Sequence, residues 1–211
     1  MNTLDYQHIF HEIKNTVTLI NSSIQLMDKK CPTLQTEPYW ENIKSETAYL
    51  KKMVLEISTA GNTDQLQIEP VDINAIINKL CQCMKDTFPK LQWDLRLCGQ
   101  NPIVNADSTK LRQAILNLMK NSAEAQNGFG TVAIHTRTED SRVLISITDH
   151  GGGIPEKLKD TVFDLFTTSK QHGTGLGLAI TKHIVECHHG FLELVNHPAS
   201  GCTFTICLPM P

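Results

Sequence analysis

No stretch of this sequence approaches the ~18 consecutive apolar residues that a membrane-spanning helix requires. The first residues, Met1-Asn2-Thr3-Leu4-Asp5-Tyr6, lack the charged-then-apolar pattern of a secretory leader. No Lys/Arg-dense run accompanies the formal net charge of −3, which argues against nucleic acid as the main partner. Internal repeats and low-complexity segments are also missing. What is left is an ordinary globular composition: 40% hydrophobic, 19% charged and only 6% aromatic over 211 residues, enough for one large domain or two small ones. These absences predict a cytoplasmic protein.

The cysteines offer little chemistry. Their number, 7, is odd, and Cys81-x-Cys83 has no second close pair to complete a zinc site, so they read as reduced, structural thiols. Cys187-His188-His189 resembles a ligand cluster, but it closes an expected helix before Gly190. Histidine suits that negative helix end without any metal.

Apolar periodicity divides the chain. Phe10, Ile13, Val17, Ile20, Ile24 and Met27 recur at alternating steps of three and four, a heptad seam on one long helix. Pro32 and Pro38 bracket a break, and Trp40, Ile43, Thr47, Leu50, Val54 and Ile57 form a second seam. A lone helical hairpin has nothing to cover such a stripe. Pairing two hairpins into a four-helix bundle covers it, so burial alone predicts a homodimer through the N-terminal helices. Residues 1–60 form this helical domain, and the polar run at 61–70 reads as a linker.

Residues 71–211 have a mixed α/β pattern. Asp72 can cap a helix carrying Ile73, Ile76, Ile77, Leu80 and Met84. Leu91, Trp93, Leu95 and Leu97 alternate as a strand, and 108–126 is helical. Segments 131–138 and 142–148 form a hairpin across Glu139-Asp140-Ser141. A helix near 176–189 precedes strands at about 191–196 and 202–208.

Some local features carry chemistry through their order. The first is His11-Glu12-x-x-Asn15, with His11 at an outward heptad position. Alone it would pass for a solvated helix face, but an exposed His beside a carboxylate can be a nucleophile with Glu12 as its base. In the helix after Asp107, Leu111, Ala114, Ile115, Leu118 and Ser122 form the expected buried stripe. Asn117, Lys120, Asn121 and Glu124 share the opposite face. An amide oxygen suits Mg²⁺ that already carries phosphate oxygens, and Lys120 is a point charge for phosphates. Asp149-x-Gly151-x-Gly153-Ile154 ends a strand, where a carboxylate can accept a hydrogen bond from an exocyclic amine. Finally, Gly173-Thr174-Gly175-Leu176-Gly177-Leu178 opens a helix and can aim backbone N–H groups at phosphate.

In this order the features resemble the bacterial two-component sensor histidine kinases over about residues 5–209. His11-Glu12-x-x-Asn15 is similar to the H box, Asn117 to Ala125 to the N box, and the two glycine segments to the G1 and G2 boxes. Phe163-Asp164-Leu165-Phe166-Thr167-Thr168 sits where the F box belongs. The resemblance implies an α plus α/β fold: a HisKA-type hairpin in a dimeric four-helix bundle, then an α/β sandwich of the GHKL (Bergerat) ATPase type. It implies ATP and Mg²⁺ as cofactors, and His11 as phosphoacceptor with Glu12 as base. Asn15 would serve dephosphorylation of the partner, and Asn121 would be the Mg²⁺ ligand. Asn117, Lys120, Asn121, Asp149, Gly151, Gly153, Ile154, Phe166 and the Gly173-Thr174-Gly175-Leu176-Gly177-Leu178 loop would bind the nucleotide. The implied partner is a response-regulator receiver domain.

The sequence departs from the family in places. Thr16 stands where a proline often follows the H-box Asn, so less helix bending is expected. Only ten residues precede His11. Input would then come from a separate sensor protein, unless this is a piece of a longer chain. Two alternatives stay open: a GHKL-type ATPase with conformational output, and a phosphotransfer scaffold without kinase activity.

Overall fold

The computed structural model describes residues 3–60, 66–170, 173–197 and 200–211, with side chains from residue 12 in the first helix and up to residue 55 in the second. Helix α1 (Thr3–Lys30) and helix α2 (Trp40–Ala60) form a hairpin around a short 3-10 turn at Pro32–Thr36. Asp28 pins the turn: it accepts from Trp40 Nε1 at 2.7 Å and pairs with Lys44 at 3.4 Å. The hydroxyls of Thr16, Thr18 and Ser22 donate to the carbonyls of Glu12, Lys14 and Thr18. Each thus satisfies its polar group within the helix. With Thr16 in place of a proline, α1 runs unbroken.

The hairpin hides little of its seams. Val17, Trp40 and Val54 are buried, Ile24 and Thr47 are half-buried, and Ile13, Ile20, Met27, Ile43 and Leu50 remain exposed. The side chains of Phe10 and Ile57 lie outside the described residues. Among the described residues, no helix is long and apolar enough to cross a membrane.

The remainder is a two-layer α/β unit. Strands β1 (Glu69–Asp72) and β3 (Ile103–Ala106) pair antiparallel, with Val71 opposite Val104. The main sheet contains β2 (Leu91–Arg96), β4 (Gly130–Glu139), β5 (Arg142–Thr148), β6 (Phe191–His197) and β7 (Gly201–Pro209), in the order β2-β4-β5-β7-β6. Among the described strands of this sheet, only the β2–β4 pair is parallel. Helices α3 (Ile73–Thr87), α4 (Ser108–Ala125) and α5 (Gly177–Cys187) complete the unit.

The period-2 pattern sets which face is inside. Val132 and Ile134 of β4, Val143, Ile145 and Ile147 of β5, and Phe204, Ile206 and Leu208 of β7 join one core with the apolar faces of α3 and α4. The β4–β5 hairpin pairs Glu139 with Arg142 and turns through Asp140 and Ser141, both at positive φ. That is the primed turn which matches the strands' twist. Asp72 caps α3, accepting from the Ala75 N–H at 3.0 Å.

The β1–β3 ribbon differs from expectation. β1 begins inside the stretch 61–70 expected as linker, and β3 has no counterpart in the sequence reading. Each strand has 4 residues. That is too short for a period-2 signal, and Pro70 marks an edge position where its missing N–H costs no ladder bond.

Candidate functional site

Helix α4 organises the site, and Asp107 starts it. The Asp107 carboxylate accepts from the N–H groups of Thr109 and Lys110, both at 3.0 Å, and from that of Gln67 at 3.2 Å. Burial opposes its ionisation, but the N–H groups of Lys110, Gln67 and Thr109 and the Lys110 charge outweigh that and hold the carboxyl below its ordinary range. The Asp107 N–H donates to His188 Nε2 at 2.9 Å, while His188 Nδ1 donates to the Ile184 carbonyl at 2.7 Å. The buried His188 therefore ties the end of α5 to the start of α4.

Leu111, Ala114, Ile115, Leu118 and Ser122 of α4 are fully buried, joined by Met119 and Ala123. Burying that stripe turns Asn117, Lys120, Asn121 and Glu124 toward a cavity of about 320 Å³. Asp149, Gly153, Ile154, Gly173, Thr174, Gly175, Gly177 and Leu178 also line it, so most of the residues expected to bind nucleotide converge on one space.

Asp149 lies at the end of β5 and is 2% exposed. One carboxylate oxygen accepts the Gly151 N–H at 3.0 Å and the other accepts the Cys202 thiol at 3.2 Å. Burial, reinforced by the Asp149 charge, pushes the Cys202 thiol far up, so it stays a proton donor. A carboxylate has about four acceptor positions, so Asp149 keeps capacity for a donor entering the cavity. Beyond it, Asn196 of β6 fixes Ile154 at two points, accepting from its N–H at 2.8 Å and donating to its carbonyl at 2.9 Å.

Two glycines are required by close packing. A Cβ on Gly151 would stand 2.7 Å from the Ala125 carbonyl oxygen at the end of α4. Gly175 has φ +67°, and a Cβ there would lie 2.6 Å from the Thr167 nitrogen. The second glycine loop thus packs directly on the 166–167 backbone. It leads into α5, whose first turn has no side-chain cap. Uncapped N–H groups beside a cavity suit an anion.

A cation seat is also visible. Lys170 Nζ donates to Asn121 Oδ1 at 3.3 Å and forms an ion pair with Glu124. These two oxygens from adjacent turns of α4 therefore converge on positive charge.

Other expected residues are placed elsewhere. Leu176 is fully buried among Ala114, Ile180 and Ile184, so its side chain packs the core instead of lining the cavity. A leucine that must bridge α4 and α5 has no exposure left for a ligand. Phe166 is more than half exposed and lies outside the lining, and Gly151 faces Ala125. On α1, Glu12 and Asn15 are exposed, and neither reaches the cavity. The side chain of His11 lies outside the described residues.

The sequence reading missed Lys52, Lys170, Cys202 and Asn196. Only Asn196 carried a signal, being an amide in a strand, where asparagine is disfavoured.

The fold agrees with the comparisons to known proteins. Residues 106–211 match the family of histidine kinase-, DNA gyrase B-, and HSP90-like ATPases. Sporulation kinase A of Bacillus subtilis (strain 168) is 30% identical over 205 residues, which cover 95% of this chain and 33% of that protein. The signal transduction histidine-protein kinase AtoS of Escherichia coli (strain K12) is 29% identical over 205 residues, covering 96% and 34%. The chain thus spans about a third of the length of these relatives. Full-length ShkA in complex with AMPPNP superposes with a TM-score of 0.81 at 20% identity, over 100% of this chain and 46% of that one, and shows the shared fold. Histidine kinase ThkA in complex with the response regulator TrrA superposes with a TM-score of 0.70 at 27% identity, over 97% of this chain and 60% of that one. With half its length in that ATPase family and nearly all of it aligned to named histidine kinases, the chain belongs to the histidine kinase-, DNA gyrase B- and HSP90-like ATPases, with a GHKL catalytic domain like that of the histidine kinases it resembles.

Proposed function

We propose that this chain is the kinase core of a two-component system, which moves the γ-phosphoryl group of ATP to His11 and then to an aspartate of a response regulator. The observation that carries this reading is the convergence of Asn117, Lys120, Asn121, Asp149 and the second glycine loop on one cavity. Asp149 would accept the adenine amino group with its remaining lone pairs. Lys120 and the uncapped N–H groups of α5 would hold the phosphates.

Mg²⁺ fits the α4 oxygens, because Asn121 and Glu124 already converge on a cationic group, the ammonium of Lys170. Asn121 would be its protein ligand, and the ion would neutralise phosphate charge. In the transfer, a ring nitrogen of His11 forms a bond to the γ-phosphorus as the bond to the bridging oxygen breaks and ADP leaves. Glu12, next to it on α1, accepts the proton of the other ring nitrogen. On the regulator the P–N bond is then exchanged for an acyl phosphate. Asn15, one turn further along α1, would orient the water that later hydrolyses it. The ThkA–TrrA complex supports the regulator as partner, and the apolar side chains left exposed on α1 and α2 support a homodimer through the hairpins.

One labelling experiment tests the assignment. Wild type should acquire an acid-labile, alkali-stable phosphate from ATP. His11→Gln should bind ATP normally and acquire none. Asn15→Ala should keep the label and slow the decay of phosphorylated regulator. ATP turnover without labelled protein would point to an ATPase with conformational output. Undiminished labelling of His11→Gln would remove His11 as acceptor.

A further inference from the structure

We infer that Lys52, on the helical hairpin, is a nucleotide phosphate-binding residue donated across the domain boundary; this rests on the nucleotide reading above. Tyr49, Lys52 and Met53 lie at i, i+3 and i+4 of α2 and so share one helical face. All three meet the glycine-loop region. The Tyr49 hydroxyl donates to the Gly173 carbonyl at 3.3 Å, at the first residue of the loop. Met53 packs against the cluster of Ala114, Leu176, Ile180 and Ile184, where α4 and α5 join. Lys52, between them, lines the cavity itself.

Charge explains why a lysine suits that place. The cavity is lined by Lys52, Lys120 and Lys170. Lys170 is engaged by Glu124 and Asn121, whereas among the described residues neither Lys52 nor Lys120 has an ion-pair partner. An ammonium without an ion-pair partner among the described residues, on a cavity that the uncapped start of α5 also lines, complements a polyphosphate. Its neighbours on α2 make it more than a passing surface lysine. The Tyr49 bond and the Met53 contact fix this helix face at the loop, which keeps Lys52 at the cavity wall. Phosphate held by Lys52 on one side and by α4 and α5 on the other binds only the docked arrangement of hairpin and catalytic unit. By linkage, it stabilises that arrangement.

The test is calorimetric titration of the whole chain, as wild type, Lys52→Met and Lys52→Arg, with MgATP, MgADP and adenosine. Methionine keeps an unbranched aliphatic stem and removes the charge. Lys52→Met should lose about fivefold in affinity for MgATP and MgADP, a loss that shrinks with added salt, and none for adenosine. Lys52→Arg should retain most of the wild-type preference for polyphosphate. An unchanged ratio of MgATP to adenosine affinity in Lys52→Met overturns the inference, as does an equal loss for all ligands. If the wild type itself binds no MgATP, the nucleotide reading fails and Lys52 falls with it. If wild type binds and the methionine variant matches it, Lys52 alone is wrong.

Discussion

The helical hairpin and the α/β unit are both built from correctly spaced apolar residues, yet they end in opposite states. In the α/β unit the stripe on α4 and the inward positions of β4, β5 and β7 are shut away completely, because a helix layer covers a sheet. Among the described side chains of the hairpin, only Val17, Trp40 and Val54 are buried, and Leu19 is 68% exposed. The difference teaches that periodicity says which residues seek burial, whereas layer count decides whether they find it. Two helices form one layer, so their outer seam is available for another molecule. The α/β unit needs none.

The largest effect should come from breaking the covered side. Leu118→Ala removes a fully buried side chain and should cost about 3 kcal/mol, read by denaturant unfolding of the α/β unit. Leu19→Ala should stay within about 0.5 kcal/mol in the same assay. Equal costs would mean that the hairpin packs as tightly as the α/β unit. The uncovered side can be tested through assembly. Ile20→Glu combined with Leu50→Glu should weaken a dimer about a hundredfold in sedimentation equilibrium, by placing charge on the seam. The α/β unit should unfold as before. An unchanged mass would show that the seam is not the dimer surface.

Smaller effects are expected within the α/β unit, on α4 and its cap. Asn121→Ala should reduce MgATP affinity about tenfold, read by calorimetry with and without Mg²⁺, since it would remove the proposed metal ligand and leave the rest of the cavity. Unaltered affinity in Mg²⁺ would reassign the ligand. Asp107→Ala removes the α4 cap and should cost about 1 kcal/mol. The Asp107 carboxyl is held below its ordinary value of 3.8, so its contribution is full above that pH. It should fade as pH falls through the lower folded value. An acid unfolding curve should therefore show wild type and variant converging at low pH, while a constant gap would assign the cost to packing.

Much of this protein was legible from local pattern. The heptad steps gave two helices, the alternation of Val143, Ile145 and Ile147 gave β5, and Asp140-Ser141 between apolar runs gave its turn. The polar face of α4 was readable too, because a helix that buries Leu111, Ile115 and Leu118 must present Asn117, Lys120 and Asn121 on its other side. Motif order is enough to point to the family.

Other features required the tertiary structure. Leu176 sits inside a glycine motif, yet packing against Ala114 and Ile184 takes its side chain away from the cavity. The Asp149–Cys202 and Ile154–Asn196 hydrogen bonds join residues 53 and 42 positions apart. Lys52 belongs to another domain by sequence and reaches the cavity only because α2 rests on the glycine loop and α5. The sequence by itself determined most of the elements, their apolar faces and the family. Which distant side chains complete the site was decided only by the tertiary structure, because it depends on how those faces meet, and side-chain periodicity carries no record of that.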